Sequence, residues 1–141
     1  MAPWTDDLIA QARCASGDHF LDVACGAGFV SNQLDPNCKV SGVDVNGEML
    51  AVARQNSNVD WHSGSAIELP FADGSFDVVL CQQGLQYFPD RSLAVNEMAR
   101  VLRLGGRVSL NVWGPIERQP FRAALLEAIS LYLGENTQSR F

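Results

Sequence analysis

Basic residues are scarce in this sequence. Ten Lys and Arg residues stand against 16 Asp and Glu residues, which gives a formal charge of −6, and the basic residues are scattered along the chain. Proteins that bind nucleic acid or an anionic membrane surface concentrate positive charge on one face or in one run of sequence. The sequence therefore predicts no nucleic-acid partner, and it favours a small-molecule ligand or a protein partner.

The four cysteines form no metal-binding or disulfide pattern. They follow one another at intervals of 11, 13 and 43 residues, with no CxxC pair and no neighbouring histidine cluster. This spacing predicts neither a zinc site nor a disulfide framework. His19 and His62 likewise lack the spacing to cysteines or carboxylates that is typical of metal ligands. Four free thiols favour a reducing compartment.

Long apolar segments are also missing. No apolar run approaches the roughly 20 residues that cross a membrane. The N-terminal part lacks the charged and apolar regions of a signal peptide. We therefore expect a cytoplasmic protein without a membrane span. A chain of 141 residues is most simply one domain, covering residues 1–141.

Strands and helices alternate along the chain. Strands are predicted at 20–24, 39–44, 59–62, 76–82 and 107–113. Helices are predicted at 5–15 with Thr5 as N-cap, about 29–34, 47–56, 89–106 with Asp90 as cap and Gly105-Gly106 as stop, and 120–133 before a polar end at 135–141. The alternation is typical of βαβ units. It predicts an α/β fold with a doubly wound, mostly parallel, Rossmann-like sheet of about five strands.

The stretch LDVACGAGFV, residues 21–30, places two glycines after the first predicted strand. The loop reads G-x-G-x-x-S, so Ser31 stands where the dinucleotide fingerprint has a third glycine. Asp22 lies inside a strand that should be apolar, and a buried carboxylate is costly unless it is paired or hydrogen-bonded. The negative charge of Asp22 suits a ligand that carries a cationic amino group and a sulfonium. Alternatively, nearby loop N–H groups bind it.

A second carboxylate, Asp44, lies 16 residues after Gly28 at the end of the next predicted strand. A carboxylate there accepts hydrogen bonds from the hydroxyls of a ribose, as in NAD-binding folds. Asp44 therefore indicates adenosine without showing which adenosine ligand. The alternative is that Asp44 caps the helix at 47–56, and both roles could hold together.

Four ordered blocks carry a family resemblance. They are LDVACGAG, GVDVNGEMLAVAR, GSAIELPFADGSFDVVLCQQGLQYFPD and MARVLRLGGRVSLNVW. Together they resemble class I S-adenosylmethionine-dependent methyltransferases, most closely the ubiquinone/menaquinone-biosynthesis-like (methyltransferase type 11) group, over about residues 4–133. The resemblance implies S-adenosylmethionine as cofactor, a small-molecule acceptor that is quinone-like or lipid-like, and the strand order 3-2-1-4-5. It also implies that the last two strands of the family are absent here and that the domain is incomplete at its C-terminus.

The resemblance implies a cofactor site of twelve residues: Asp22, Ala24, Gly26, Gly28, Asp44, Val45, Met49, Ser65, Ala66, Ile67, Cys81 and Gln82. Asp22 and the two glycines would line the methionine part, and Asp44 would hold the ribose hydroxyls. Val45 and Met49 would lie beside the adenine. Ser65 stands where the family usually has an acid that contacts the adenine amino group, and it can still accept a hydrogen bond.

The transfer site is implied at the end of the fourth strand. Cys81 and Gln82 match positions near the methionine amino group and the transferred methyl. Gln82, Gln86 and Tyr87 are polar candidates to contact an acceptor, but none is a convincing base. Transfer from a sulfonium depends mainly on alignment, and a base is needed only if the acceptor must lose a proton. No catalytic residue and no metal ligand is predicted.

Two other functions stay open. The chain could be a cofactor-binding scaffold without catalysis, which Ser65 and the short C-terminal part favour. It could instead be a nicotinamide-dependent oxidoreductase domain, which Ser31 and Asp22 disfavour. A fifth strand at the sheet edge would leave N–H and C=O groups free to pair with another chain. We therefore expect a homo-oligomer or a partner chain along that edge.

Overall fold

A five-stranded parallel sheet organises the fold. The computed structural model describes residues 3–57 and 59–133. The strands are β1 His19–Val23, β2 Lys39–Asp44, β3 Asp60–Ser63, β4 Phe76–Gln82 and β5 Leu102–Asn111. They lie in the order β3-β2-β1-β4-β5, and all four neighbouring pairs are parallel, which confirms the predicted fold class and order. The order reverses between β1 and β4, where sheets of this kind bind ligands.

The helices connect these strands. They are α1 Pro3–Gln11, α2 Gly47–Asn56, α3 Arg91–Val101 and α4 Pro120–Leu133. Asp90 caps α3 as predicted, because its side chain accepts a hydrogen bond from the N–H of Leu93. None of the described helices has the length and apolar character needed to cross a membrane. The predicted polar end at 135–141 lies outside the described residues.

The predicted helix at 29–34 is wrong, because only a 3₁₀ turn forms there, at Ser31–Gln33. Gly26 and Gly28 have φ angles of 53° and 83°, and this left-handed backbone cannot belong to a right-handed helix. Leu34 is already extended, and Pro36 disfavours helix in the residue before it. The space between the glycine loop and Pro36 therefore holds a single turn.

The predicted start of α1 is also wrong. The helix begins at Pro3, so Thr5 lies inside it and is not its N-cap. Thr5 is fully buried, and its hydroxyl donates a hydrogen bond to Gln82 at the end of β4. The helix ends at Gln11, before Arg13, whose φ of 49° is left-handed. A polar residue near a helix start therefore makes a long-range contact here instead of a local cap.

The predicted end of α3 differs as well. Gly105-Gly106 does not stop the helix, since α3 ends at Val101 and β5 begins at once. Leu102 pairs with Phe76, and regular pairing with β4 resumes only at Arg107. The four residues in between form an irregular segment in which Gly105 has a φ of 78°. The two glycines therefore serve a bulge in β5.

The core lies on both faces of the sheet, around β4. Phe76 and Val79 pack in one cluster of buried side chains, and Val78 and Leu80 pack in another. These four side chains are at most 1 % exposed, as expected for a central strand that is apolar on both faces. This double packing fixes the carboxyl end of β4 beside that of β1.

Candidate functional site

A pocket of about 240 Å³ opens at the carboxyl end of the sheet. Its walls are the loops that follow β1, β2, β3 and β4, next to the reversal of strand order. This volume is slightly below the ~300–1,000 Å³ of most small-molecule sites, so the pocket suits a nucleoside-sized group. It is lined by Ala24, Val43, Asp44, Val45, Gly64, Ser65, Ala66, Ile67, Gly84, Tyr87, Phe88 and Pro89.

Half of the residues predicted for a cofactor line this pocket. The six that do are Ala24, Asp44, Val45, Ser65, Ala66 and Ile67, and the six that lie outside its lining are Asp22, Gly26, Gly28, Met49, Cys81 and Gln82. The pocket therefore brings together the residues expected at the ribose and the adenine. Met49, on α2, was expected beside the adenine but lies outside the pocket lining and is 46 % exposed.

Asp44 connects three parts of the site. Its Oδ2 accepts a hydrogen bond of 2.8 Å from the N–H of Gly26, and its Oδ1 accepts one of 2.8 Å from the N–H of Asn46. The helix cap that the sequence left open for Asp44 belongs to Asn46, whose side chain accepts from Glu48 and Met49. Each carboxylate oxygen keeps a further lone pair for a ligand. Asp44 therefore fixes the loops after β1 and β2 while it lines the pocket.

Asp22 lies beneath the glycine loop and is 1 % exposed. Its Oδ2 accepts a hydrogen bond of 2.7 Å from the hydroxyl of Ser31. Burial raises the pKa of this carboxyl to about 6, because a charged group loses water there, and the hydrogen bonds from Ser31 offset only part of that effect. Ser31 thus replaces the third glycine of the fingerprint because its hydroxyl binds Asp22.

The two loop glycines have different physical reasons. A Cβ built on Gly26 would meet nothing within 4 Å, so this glycine is needed only for its left-handed backbone. A Cβ on Gly28 would lie 2.5 Å from the Cη2 of Trp61, on β3. The group that comes close to Gly28 is therefore an indole ring of the protein itself.

Trp61 also supports β2 and α2. A Cβ on Gly42 would clash with the Cζ3 of Trp61, so the ring lies against both glycines. Trp61 packs in a buried cluster with Cys25, Leu50 and Ala53. The indole thus joins the glycine loop to its neighbouring strand and helix, and no local sequence pattern predicts this role.

A side-chain clasp holds the loop that carries Ser65, Ala66 and Ile67. Arg100 on α3 donates to the carbonyls of Leu69 and Phe71 at 3.1 and 2.8 Å. Glu97 accepts from the N–H of Leu69 at 2.7 Å and pairs with Arg100 at 2.7 Å. The carboxylates of Glu97 and Asp73 both pair with Arg100 and raise the pKa of its guanidinium further above the usual range. Arg100 in turn lowers the pKa of Glu97. The clasp was missed because its members lie about 30 residues apart in the sequence.

Cys81 and Gln82 follow each other at the end of β4 but differ in access. The Cys81 side chain is fully buried, and burial raises the pKa of its thiol to about 12, so it stays a neutral core residue. The Oε1 of Gln82 accepts a hydrogen bond of 2.8 Å from the hydroxyl of Thr5. Gln82 is partly exposed and belongs to the same edge of the sheet as the pocket.

Tyr87, a predicted acceptor contact, also lines the pocket. The sequence missed five lining residues: Val43, Gly64, Gly84, Phe88 and Pro89. A Cβ on Gly84 would lie 2.8 Å from the Cβ of Ala24, so a glycine is needed where the loops after β1 and β4 meet. The 3₁₀ turn Leu85–Tyr87 then brings the next residues over the pocket. A glycine two residues after the central strand was the available signal for this approach.

Known proteins are similar to this chain in sequence and fold. Residues 21–110 match the family model described as "Methyltransferase domain". The chain belongs to this methyltransferase family. The family match confirms the resemblance that the four motif blocks indicated. It also removes the nicotinamide-dependent oxidoreductase from the functions left open.

Two curated methyltransferases and one solved structure illustrate the similarity. The chain is 36 % identical over 120 residues to the chloroplastic 2-phytyl-1,4-beta-naphthoquinone methyltransferase of Arabidopsis thaliana, covering 76 % of this chain and 46 % of that protein. It is 35 % identical over 115 residues to the demethylmenaquinone methyltransferase of Alkalihalophilus pseudofirmus, covering 74 % and 49 %. A SAM-dependent methyltransferase from Methanosarcina mazei gives a TM-score of 0.62 at 29 % identity, covering 67 % and 52 %. The chain spans about half the length of the curated relatives it matches.

Proposed function

We propose that this chain binds S-adenosylmethionine at the carboxyl end of the sheet and takes part in methyl transfer to a small molecule with a quinone-like ring. The observation that carries the proposal is the pocket, in which Asp44 and the Ser65–Ile67 loop line one cavity. Membership of the methyltransferase family supports the reaction. The naphthoquinone and demethylmenaquinone named in the two relatives support a ring-bearing acceptor.

The pocket fits the adenosine part of the cofactor. Asp44 lines the wall and has lone pairs left for both ribose hydroxyls. Val45 is 72 % exposed at the end of β2, and with Ala66 and Ile67 it offers an apolar surface to the adenine ring. Ser65 can accept or donate a hydrogen bond at the ring edge. These residues would hold the nucleoside without a further charged group.

The buried carboxyl of Asp22 fits the methionine part. Its charge has no cationic partner among residues 3–57 and 59–133. A ligand ammonium group near the glycine loop would stabilise this charge. Gly26 supports the same placement, because the space where its Cβ would lie is open.

When bound, S-adenosylmethionine supplies a methyl group that is already activated by its sulfonium. The chain's own residues then have to hold the acceptor in line with that methyl group. Gln82, Gln86 and Tyr87 lie at or just after the end of β4 and carry no carboxylate or imidazole. We therefore assign alignment, and no general base, to these residues.

We also propose a partner chain along β5 and a cytoplasmic location. β5 is the edge of the described sheet, and Leu104, Val108 and Leu110 on it are 102 %, 44 % and 36 % exposed. Unpaired edge groups beside apolar side chains favour association with another strand. The four cysteines are free thiols, which supports a reducing compartment.

The test of the function is a transfer assay. The purified chain is incubated with methyl-labelled S-adenosylmethionine and reduced 1,4-naphthoquinone, and labelled quinol product is measured. We expect product from the wild type and from Glu48→Gln, which removes a nearby exposed charge outside the pocket lining. Asp44→Ala is expected to lose at least about 90 % of the rate through weaker cofactor binding. A wild type that binds S-adenosylhomocysteine but forms no product would favour the cofactor-binding scaffold.

A further inference from the structure

Helix α1 is fixed to β5 by a matched row of polar contacts. Alternate residues of β5 donate hydrogen bonds to carbonyls four residues apart, two on α1 and one directly after it: Arg107 to Ala12 at 2.9 Å, Ser109 to Leu8 at 3.0 Å, and Asn111 to Trp4 at 3.2 Å. Two strand residues rise about 6.6 Å, and four helix residues rise about 6 Å. The two periods agree, so the whole helix is held in one register along the strand.

This register places Thr5 over the carboxyl end of β4. Trp4, near the start of α1, is the residue that Asn111 of β5 holds, and Thr5 follows it directly. The Thr5 side chain is fully buried. Its hydroxyl donates to the Oε1 of Gln82 at 2.8 Å. A buried hydroxyl that found no partner would destabilise the fold. Gln82 is therefore held with its carbonyl oxygen toward α1.

The other end of the same amide is free. The NH₂ group of Gln82 has no hydrogen-bond partner among residues 3–57 and 59–133. This NH₂ group is not buried, so solvent or a ligand can reach it. Gln82 pairs with Asn111 at the end of the sheet, and Gly84, two residues later, lines the pocket. The donor therefore lies at the edge of the sheet that carries the pocket.

We propose that Gln82 binds an oxygen atom of the methyl acceptor through its NH₂ group, and that Thr5 is the positioning residue that orients it. An amide NH₂ donates only, so it binds an acceptor oxygen such as a carbonyl or an ionised hydroxyl and does not bind an ammonium group. The acceptor class is a molecule with such an oxygen close to the methylated atom. This inference rests on the proposed function, since it assigns the acceptor side of the same site.

The test uses two isosteric or conservative changes of one hydroxyl. Thr5→Val removes the hydrogen bond and keeps the shape, whereas Thr5→Ser keeps the hydroxyl. The probe is 2-hydroxy-1,4-naphthoquinone, which carries carbonyls and an ionised hydroxyl. It is titrated calorimetrically into each protein with saturating S-adenosylhomocysteine, and again without it. Gln82→Glu provides a second route, because it replaces the donor with a negative charge.

We expect the Kd for the probe to rise about tenfold in Thr5→Val and further in Gln82→Glu, and to stay within about twofold in Thr5→Ser. The Kd for S-adenosylhomocysteine should not change in Thr5→Val, which a general loss of structure would not allow. Equal probe binding by wild type and Thr5→Val, or no probe binding by the wild type, would overturn the inference. A wild type that does not bind S-adenosylhomocysteine would instead contradict the proposed function. Titration of the probe in the absence of S-adenosylhomocysteine would then still test Gln82.

Discussion

The two ends of the strand order, the β1–β2–β3 side and the β5 side, differ in how firmly internal contacts hold them. On the β1–β2–β3 side, each loop at the carboxyl end is tied down, with Asp44 joining two loops and Arg100 holding a third. On the β5 side, the edge strand exposes apolar residues, and Phe121 on α4 is 82 % exposed. The difference teaches that contacts among the described residues hold the loops on the β1–β2–β3 side. On the β5 side, apolar side chains stay exposed in the described part of the chain.

The largest loss of stability on the β1–β2–β3 side is expected from a substitution in the glycine loop. Gly28→Ala places a Cβ against Trp61 and keeps a left-handed backbone, so we expect it to lower the free energy of unfolding by about 3–5 kcal/mol. Gly26→Ala is the matched control, with the same backbone strain but open space, and should cost only about 1–2 kcal/mol. Urea denaturation measures both. Equal costs at the two glycines would show that the indole does not set the loop.

Asp22 separates stability from binding on the same side. The folded carboxyl has a pKa of about 6 instead of 3.8, so the folded state holds the proton more tightly than the unfolded state. The contribution of Asp22 to stability is therefore greatest below about pH 4, falls as the pH rises from about 4 to 6, and is lower by about 3 kcal/mol at pH 7. Asp22→Asn should remove this fall and stabilise the chain by about 2 kcal/mol at pH 7 while it weakens cofactor binding.

The control for this prediction is Asp35→Asn, which changes an exposed carboxylate outside the pocket lining. Denaturation between pH 4 and 8 and a cofactor titration at pH 7 are compared for both variants. A wild-type profile that is flat across this range, or an Asp22→Asn variant less stable than the wild type at pH 7, would contradict the account.

The clasp tests whether the Ser65–Ile67 loop is held from α3. Arg100→Met removes the donors to the carbonyls of Leu69 and Phe71, so we expect a loss of about 2 kcal/mol in stability and weaker S-adenosylhomocysteine binding. Asp73 also pairs with Arg100, and the Asp73 side chain is 81 % exposed. Asp73→Asn removes the charge of this partner and should change stability by less than about 0.5 kcal/mol. Thermal unfolding with and without the ligand separates the two effects. Unchanged ligand affinity in Arg100→Met would show that the clasp does not position the loop.

The smallest effect on stability is expected at the β5 edge. Val108→Lys places a charge among exposed apolar side chains and should change stability by less than about 0.5 kcal/mol. It should also suppress association of the chain at high concentration, as measured by light scattering. A wild type that stays monomeric throughout the same concentration range would remove the proposed role of this edge.

The sequence predicted the sheet because its periodic signals are local. The bounds of β2, β4, α2 and α4 follow from apolar runs and their caps or breaks, and the structure confirms them. Errors arose where one residue serves a distant partner. Thr5 resembles a cap but binds Gln82, and Gly105-Gly106 resembles a helix stop but forms a bulge against β4. Such contacts depend on tertiary neighbours that a local pattern does not contain.

The candidate site shows the same limit. The motif predicted Asp44 and the Ser65–Ile67 loop, and the structure places them in one pocket. The motif also contains Gly28, and the group that lies against Gly28 in the structure is Trp61. Burial and side-chain partners decide these roles, and they become visible only when β3 lies beside β2.

One titration tests the central claim most directly. S-adenosylhomocysteine is added to the purified chain in a calorimeter, with Asp44→Ala beside the wild type and NAD as a second ligand. The account predicts saturable binding at one site per chain, at least about tenfold weaker binding in Asp44→Ala, and no binding of NAD. A folded wild type that does not bind S-adenosylhomocysteine, or a variant that binds it as tightly, would contradict the account.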